Sequence, residues 1–96
     1  MIHIDIHPDR IAVTGHANTG PPGRDLVCCA VSVLAQTLEA SIRKLTDAEI
    51  QSHMEPGEMI IRWNGDLPES AKLLVDSFFI GICGVAEAHP ECIQII

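Results

Sequence analysis

The chain has 96 residues, 47% of them hydrophobic, with a formal net charge of -7 and six scattered lysines and arginines. This length predicts one domain over residues 1–96, with an aliphatic core because aromatic side chains are rare. The net charge and the small number of basic residues argue against nucleic acid as the direct partner, because binding it needs clustered Lys and Arg. The acidic surface either suits a basic partner or only keeps the protein soluble.

The N-terminal residues and the cysteine spacing predict the cellular compartment. The stretch "MIHIDIHPDR" has no secretion signal, and no continuous apolar run reaches the length of a membrane span, so we expect a cytoplasmic protein without a membrane partner. In that compartment the four cysteines are expected to be reduced thiols. Their spacing contains no CxxC pair, and we expect neither a metal nor another cofactor.

Two short segments at the start of the chain predict a β-hairpin. Apolar and polar residues alternate in "IHIDIH", which places Ile2, Ile4 and Ile6 on one face of a strand. The sequence "HPDR" is typical of a turn, and "IAVTG" continues as a second strand with Ile11 and Val13 facing inward.

After a loop over residues 17–24, the apolar pattern changes from a strand period to a helix period. Apolar residues recur at three- and four-residue steps on one face of the predicted helix: Val27, Val31, Leu34, Leu38, Ile42 and Leu45. Asp25 is placed to cap the helix N-terminus, and Arg43 and Lys44 favour its C-terminal end.

The second half of the chain predicts another hairpin, another helix and a closing strand. "AEIQSHM" and "GEMIIRWN" flank the turn "EPG", and Asp66 followed by Pro68 indicates a helix with Asp66 as its N-cap. Gly81 and Gly84 would let this helix pack closely against a neighbour, on a side that also carries Leu74, Phe78 and Val85.

The dipeptide "HP" ends the second helix, and "ECIQII" follows as a strand. The order ββαββαβ predicts an α+β fold, a two-layer sandwich in which two helices pack on one mixed or antiparallel five-stranded sheet.

His16 and Cys28 lie on either side of the glycine- and proline-rich loop in "GHANTGPPGRDLVCCAVS". Cys28 falls in the first helical turn, where exposed N–H groups and the helix dipole favour a nucleophilic thiolate and can bind an oxyanion. Asp25, Cys28 and Ser32 share a face that we expect to lie opposite part of the apolar stripe, whereas Cys29 is expected to pack. The loop can fold back to bring His16 to the thiol, as in cysteine hydrolases. The residues alone leave open that Cys28 is a small core residue.

The segment from Gly15 to Ser32 resembles the signature of Prp, the ribosomal-processing cysteine protease family of bacteria. The matching positions are Gly15, His16, Ala17, Gly20, Gly23, Asp25, Val27, Cys28, Ala30 and Ser32. The order of strands and helices resembles the family over the whole chain, whereas the specific motif covers this one segment. Two departures are Cys29, where the family pattern has alanine, and the Pro21-Pro22 pair in the loop.

The resemblance implies a homodimeric cysteine endopeptidase that removes the N-terminal extension of large-subunit ribosomal protein twenty-seven, with His16 as base and Cys28 as nucleophile. The expected substrate-binding set is Gly15, Ala17, Gly20 and Gly23. Gly20 and Gly23 either allow the close approach of a peptide or are ordinary turn glycines. Asp25 either orients His16 or only caps the helix. Ser32 either donates to the site or bonds back to a helix carbonyl.

Three other interpretations follow from the residues alone. His3, Asp5 and His7 share one strand face and either ligate zinc or form an exposed polar face, while His53 has no helpful metal-ligand spacing. The glycine-rich loop before a helix suits a phosphate but lacks the established phosphate-binding patterns. A non-catalytic ribosome-associated protein that binds a basic peptide is the alternative from a different class, and it predicts an unreactive Cys28.

Overall fold

The computed structural model describes residues 1–15 and 26–96 and has the element order ββαββαβ that the sequence predicts. Its strands are β1 (Ile2–His7), β2 (Arg10–Gly15), β3 (Gln51–Glu55), β4 (Glu58–Arg62) and β5 (Ile93–Ile95). Its helices are α1 (Leu26–Leu45) and α2 (Glu69–Ala88). The predicted site residues outside the described residues are His16, Ala17, Gly20, Gly23 and Asp25, so the predicted N-cap at Asp25 lies outside them as well.

The sheet is mixed, which decides between the two arrangements that the sequence allows. Its strand order is β3-β4-β2-β1-β5. The pairs β3–β4, β4–β2 and β2–β1 are antiparallel, with Ile4 opposite Val13 and Ile11 opposite Ile61. β5 pairs parallel with β1, because α2 carries the chain from β4 across the sheet to its other edge.

The two helices pack on one face of the sheet and against each other. The inward strand positions are apolar, and Ile4, Ile11 and Ile61 have no exposed surface, as the period-two pattern predicts. The buried helix residues that meet them are Val27, Val31, Ala35, Leu38 and Ile42 of α1 and Ala71, Phe78 and Ile82 of α2. The core is therefore largely aliphatic.

α2 approaches α1 closely at Gly81. A Cβ at Gly81 would lie 3.0 Å from Cδ2 of Leu34, so a larger residue would push the helices apart. The predicted close packing is confirmed at this glycine. Gly84 does not contribute to it, since Gly84 is exposed and no described atom comes within 4 Å of its Cβ position.

Two predicted features at the helix ends are wrong. Leu45, predicted to face the core, is 72% exposed, because α1 ends there and the chain turns at Thr46, whose hydroxyl donates to the Ile42 carbonyl at 2.7 Å. Asp66, predicted as the N-cap of α2, is exposed and precedes the helix start. Pro68 occupies the N-cap position with extended backbone, so helical conformation begins only at the next residue.

α1 is long and apolar enough to span a membrane when length and composition alone are considered. Five of its residues are buried in the core, and Arg43 and Lys44 lie in its last turn. Core helices meet the same criterion, and we interpret α1 as a core helix that packs on the sheet.

Candidate active site

Cys28 lies in the first turn of α1, as predicted. The residue is half-buried and packs against the hydrophobic core. The N–H groups of a first helical turn have no acceptor inside the helix, so they can donate to a negative charge that forms beside the thiol. The local geometry therefore places the Cys28 thiol beside N–H groups that can donate to an oxyanion.

A cavity of about 270 Å³ opens beside Cys28, between the start of α1, the end of β2 and the β3–β4 hairpin. Ser32 and Gln36 continue its α1 wall, Val13 and Gly15 belong to its sheet wall, and the hairpin contributes residues 54–59. The cavity brings together three of the predicted site residues: Gly15, Cys28 and Ser32. It has room for part of a peptide next to the thiol.

Cys28 and Ser32 share a face of α1, as predicted, but this face does not lie opposite the apolar stripe. Both residues line the cavity together with the buried Val31 and Ala35. At 100° per residue, Cys28 lies about 60° from the centre of the buried face and Cys29 about 160° from it. Cys29 is accordingly exposed, and the prediction that it packs is wrong.

Gly15 is the last residue of β2, at the cavity, and contacts both Met1 and the β3–β4 turn. Its φ is +96°, and a Cβ would fall well inside 3.0 Å of the Met1 carbonyl oxygen. Its N–H donates to the carbonyl of Gly57 in the β3–β4 turn at 2.8 Å. The fold itself therefore requires glycine here. The substrate-binding role of Gly15 stays a prediction.

The β3–β4 hairpin forms the cavity wall that the sequence analysis missed. Pro56 and Gly57 make its two-residue turn, with a φ of +80° at Gly57. Met54 and Met59 stand opposite each other across the hairpin, and both line the cavity. The "EPG" turn is visible in the sequence, but its position beside Cys28 depends on the pairing of β4 with β2.

His53, Glu55 and Glu58 form an exposed cluster at the end of this hairpin. His53 Nε2 lies 3.3 Å from Glu55 Oε1 and 3.6 Å from Glu58 Oε1. The ligand atoms of the three residues lie within 4.8 Å of one another, close enough to hold a cation. This cluster was not predicted from the sequence, because His53 and Glu58 meet only across the two strands.

The zinc alternative on β1 does not form within residues 1–15 and 26–96. Asp5 and His7 make an ion pair on the open face of the sheet, but His3 does not complete a three-ligand group with them. Exposed pairs of this kind contribute little and do not require an ion.

The family described as cysteine protease Prp matches residues 1–94 of the chain. No curated protein matches the sequence. The match covers every described element apart from the last residue of β5.

Several solved structures share the fold. SMU.848 from Streptococcus mutans is 30% identical, with a TM-score of 0.85, and the alignment covers 99% of this chain and 91% of that chain. The essential ribosomal processing protease Prp from S. aureus, with a covalently linked product peptide, has a TM-score of 0.91 at 22% identity, over 99% of this chain and 97% of that chain. The same protease with a substrate peptide has a TM-score of 0.82 at 20% identity, over 99% and 95%. At these identities the two S. aureus structures show the fold alone.

Proposed function

The chain belongs to the cysteine protease Prp family and is a cysteine protease, and on this premise we propose that it removes the N-terminal extension of large-subunit ribosomal protein twenty-seven. In this proposal Cys28 is the nucleophile and His16 is the base. The observation that carries it is the position of Cys28, in the first turn of α1 and on the wall of a cavity that opens beside the thiol.

The first chemical step forms the bond between enzyme and substrate. His16 removes the thiol proton of Cys28, and the thiolate attacks the carbonyl carbon of the scissile peptide bond. The carbonyl oxygen takes the electron pair and becomes an oxyanion. N–H groups of the first turn of α1 donate to this oxygen, and their stabilisation grows with the charge as the transition state is reached.

The second step releases the two products. The proton on His16 passes to the leaving nitrogen as the C–N bond breaks, which leaves the N-terminal fragment as a thioester on Cys28. A water molecule then attacks the thioester carbonyl while His16 accepts its proton, and the Cys28 sulfur leaves. The products are the carboxylate of the extension and the mature protein with a new N-terminal amine.

The remaining predicted residues have supporting roles in the proposal. Ser32 lines the cavity one helical turn below Cys28, where its hydroxyl can donate to a bound peptide. Asp25 orients His16 in addition to capping α1. The substrate-binding residues of the proposal are Gly15, Ala17, Gly20 and Gly23.

Two observations support a ribosomal protein as the substrate. The net charge of -7 attracts a basic protein and repels free nucleic acid. The S. aureus protein of the same fold is described as a ribosomal processing protease and binds substrate and product peptides. We also propose a cytoplasmic homodimer, which sedimentation of the purified protein and cell fractionation would test.

The test is incubation with the ribosomal protein precursor, followed by mass spectrometry of its N-terminus. The wild type should release one defined extension, and Cys28→Ala should release none. Cys29→Ala is the matched control, because it removes the neighbouring thiol from the exposed face of the same turn. A folded wild type that binds the precursor without cutting it would instead support a non-catalytic binding protein.

A further inference from the structure

β3 lies at one edge of the sheet, beside the candidate active site. In the described part of the chain it pairs with β4 on one side and with no strand on the other. All five of its residues are exposed. An unpaired edge presents a row of N–H and C=O groups that can bind another extended chain. This edge reaches the cavity, because Met54 and Glu55 line it.

α1 runs alongside this edge over the length of the strand. Three α1 residues at four-residue steps line the cavity: Cys28, Ser32 and Gln36. Farther along the helix, Arg43 donates to the Ser52 hydroxyl at 3.0 Å, and that hydroxyl donates to Glu39 at 3.2 Å. α1 therefore follows β3 from the Cys28 cavity, which Met54 lines, to Ser52, and the open edge of β3 begins at the cavity.

The register of the hairpin identifies which backbone groups of β3 point to its open edge. Glu55 and Glu58 are opposite each other and close a two-residue turn, so they exchange both backbone hydrogen bonds. Since antiparallel pairs alternate, His53 also bonds to β4. The N–H and C=O groups of Ser52 and Met54 then point to the open edge.

We propose that the substrate peptide binds as an additional strand on β3, with its backbone paired to Ser52 and Met54 and its scissile bond at Cys28. This inference rests on the proposed function and adds the binding mode. At about 3.4 Å per residue, the edge accommodates roughly four or five substrate residues. The occupant is a peptide because the edge is continuous with the Cys28 cavity, and backbone pairing holds a peptide carbonyl in register for attack.

The first test compares two substitutions at one position. Met54→Pro removes an N–H that points to the open edge without removing a β3–β4 hydrogen bond, and proline is tolerated at such edge positions. Met54→Ala removes the same side chain and keeps the N–H. We expect kcat/KM for the precursor peptide to be about three- to tenfold lower in Met54→Pro than in Met54→Ala, the effect of one lost hydrogen bond.

Alkylation of Cys28 by iodoacetamide provides a readout that does not need strand pairing. In a Cys29→Ser background, Met54→Pro and Met54→Ala should react equally fast, because the small reagent needs only the thiolate. Equal kcat/KM values in the two Met54 variants would overturn the inference. A second result would also overturn it: Met54→Pro is monomeric but has the same kcat/KM as Met54→Ala. The edge would then bind a second copy of the chain and not the substrate.

The second test uses the wild type and does not depend on the folding of a variant. Precursor peptides with a single N-methylated amide are compared, one position at a time. Strand pairing predicts losses of kcat/KM at every second residue on one side of the scissile bond. Losses that do not alternate would contradict strand pairing but leave the proposed function intact. Failure of the wild type to cut the unmodified precursor would instead contradict the proposed function.

Discussion

Replacing Gly15 with alanine should lower the free energy of unfolding by more than the backbone strain of a positive φ alone would cause. Gly15 and Gly65 both have positive φ, +96° and +70°. A left-handed backbone costs a non-glycine residue about 1–2 kcal/mol. No described atom lies within 4 Å of a Cβ at Gly65, so Gly65→Ala measures this strain by itself.

At Gly15 the new Cβ would also meet backbone, not a flexible side chain. The Met1 carbonyl oxygen lies well inside 3.0 Å of it, and the next residue, Ile2, donates its N–H to the Cys92 carbonyl at 2.7 Å. Relieving the overlap must therefore shift β1 at the end where it meets β5. Adding a typical overpacking cost to the strain gives a loss of about 2–5 kcal/mol for Gly15→Ala.

The measurement is urea unfolding of both variants and the wild type, followed by circular dichroism. The kcat/KM for the precursor peptide should fall in Gly15→Ala, since Gly15 lines the cavity and directly precedes His16, and should not change in Gly65→Ala. If the two variants lose the same free energy of unfolding, the backbone near Met1 can move away at no energetic cost. The predicted overlap between the new Cβ and the Met1 carbonyl is then refuted.

Four further outcomes are expected. Cys28→Ala and His16→Ala should each abolish precursor cleavage in a folded protein, and the double variant should be little worse than either because the pair acts as a unit, which single-turnover assays will show. Cys29→Ala should keep wild-type kcat/KM, and a loss of turnover would contradict the exposed orientation of Cys29. Asp66→Ala should change the free energy of unfolding by less than about 0.5 kcal/mol, because Asp66 does not cap α2. Thr46→Ala should cost about 1 kcal/mol in the same urea assay, since its hydroxyl bonds to the Ile42 carbonyl.

Local sequence pattern was sufficient for the elements and their inward faces. Alternation in β1 and β2 and the three- and four-residue steps in α1 correctly identify Ile4, Ile11, Val31 and Ile42 as core. These patterns work because they reflect the fixed period of each element. The ends of elements are less well determined: the burial of Leu45 and the cap at Asp66 depended on where the chain leaves the helix, which period does not encode.

For the candidate site, too, the sequence correctly predicted positions that depend on local spacing. The positions of Cys28 in a first helical turn and of Ser32 one turn later could be predicted from the sequence, because helical spacing is a fixed local distance. Their roles in catalysis stay predictions. His16, also assigned from the sequence, lies outside the described residues and stays a prediction.

The residues that face Cys28 across the cavity depend on the strand order and not on local pattern. The strand order places β4 between β3 and β2, so the hairpin turn at Pro56 and Gly57 reaches the start of α1 and completes the cavity. Within residues 1–15 and 26–96, the same order leaves β3 paired on one side only, beside the Cys28 cavity. Strand order and the parallel pairing of β5 depend on contacts between residues far apart in the chain, and periodicity carries no information about such partners. In contrast, the elements, their buried faces and the place of Cys28 in a helical turn could be read from local pattern, because they depend on neighbouring residues alone.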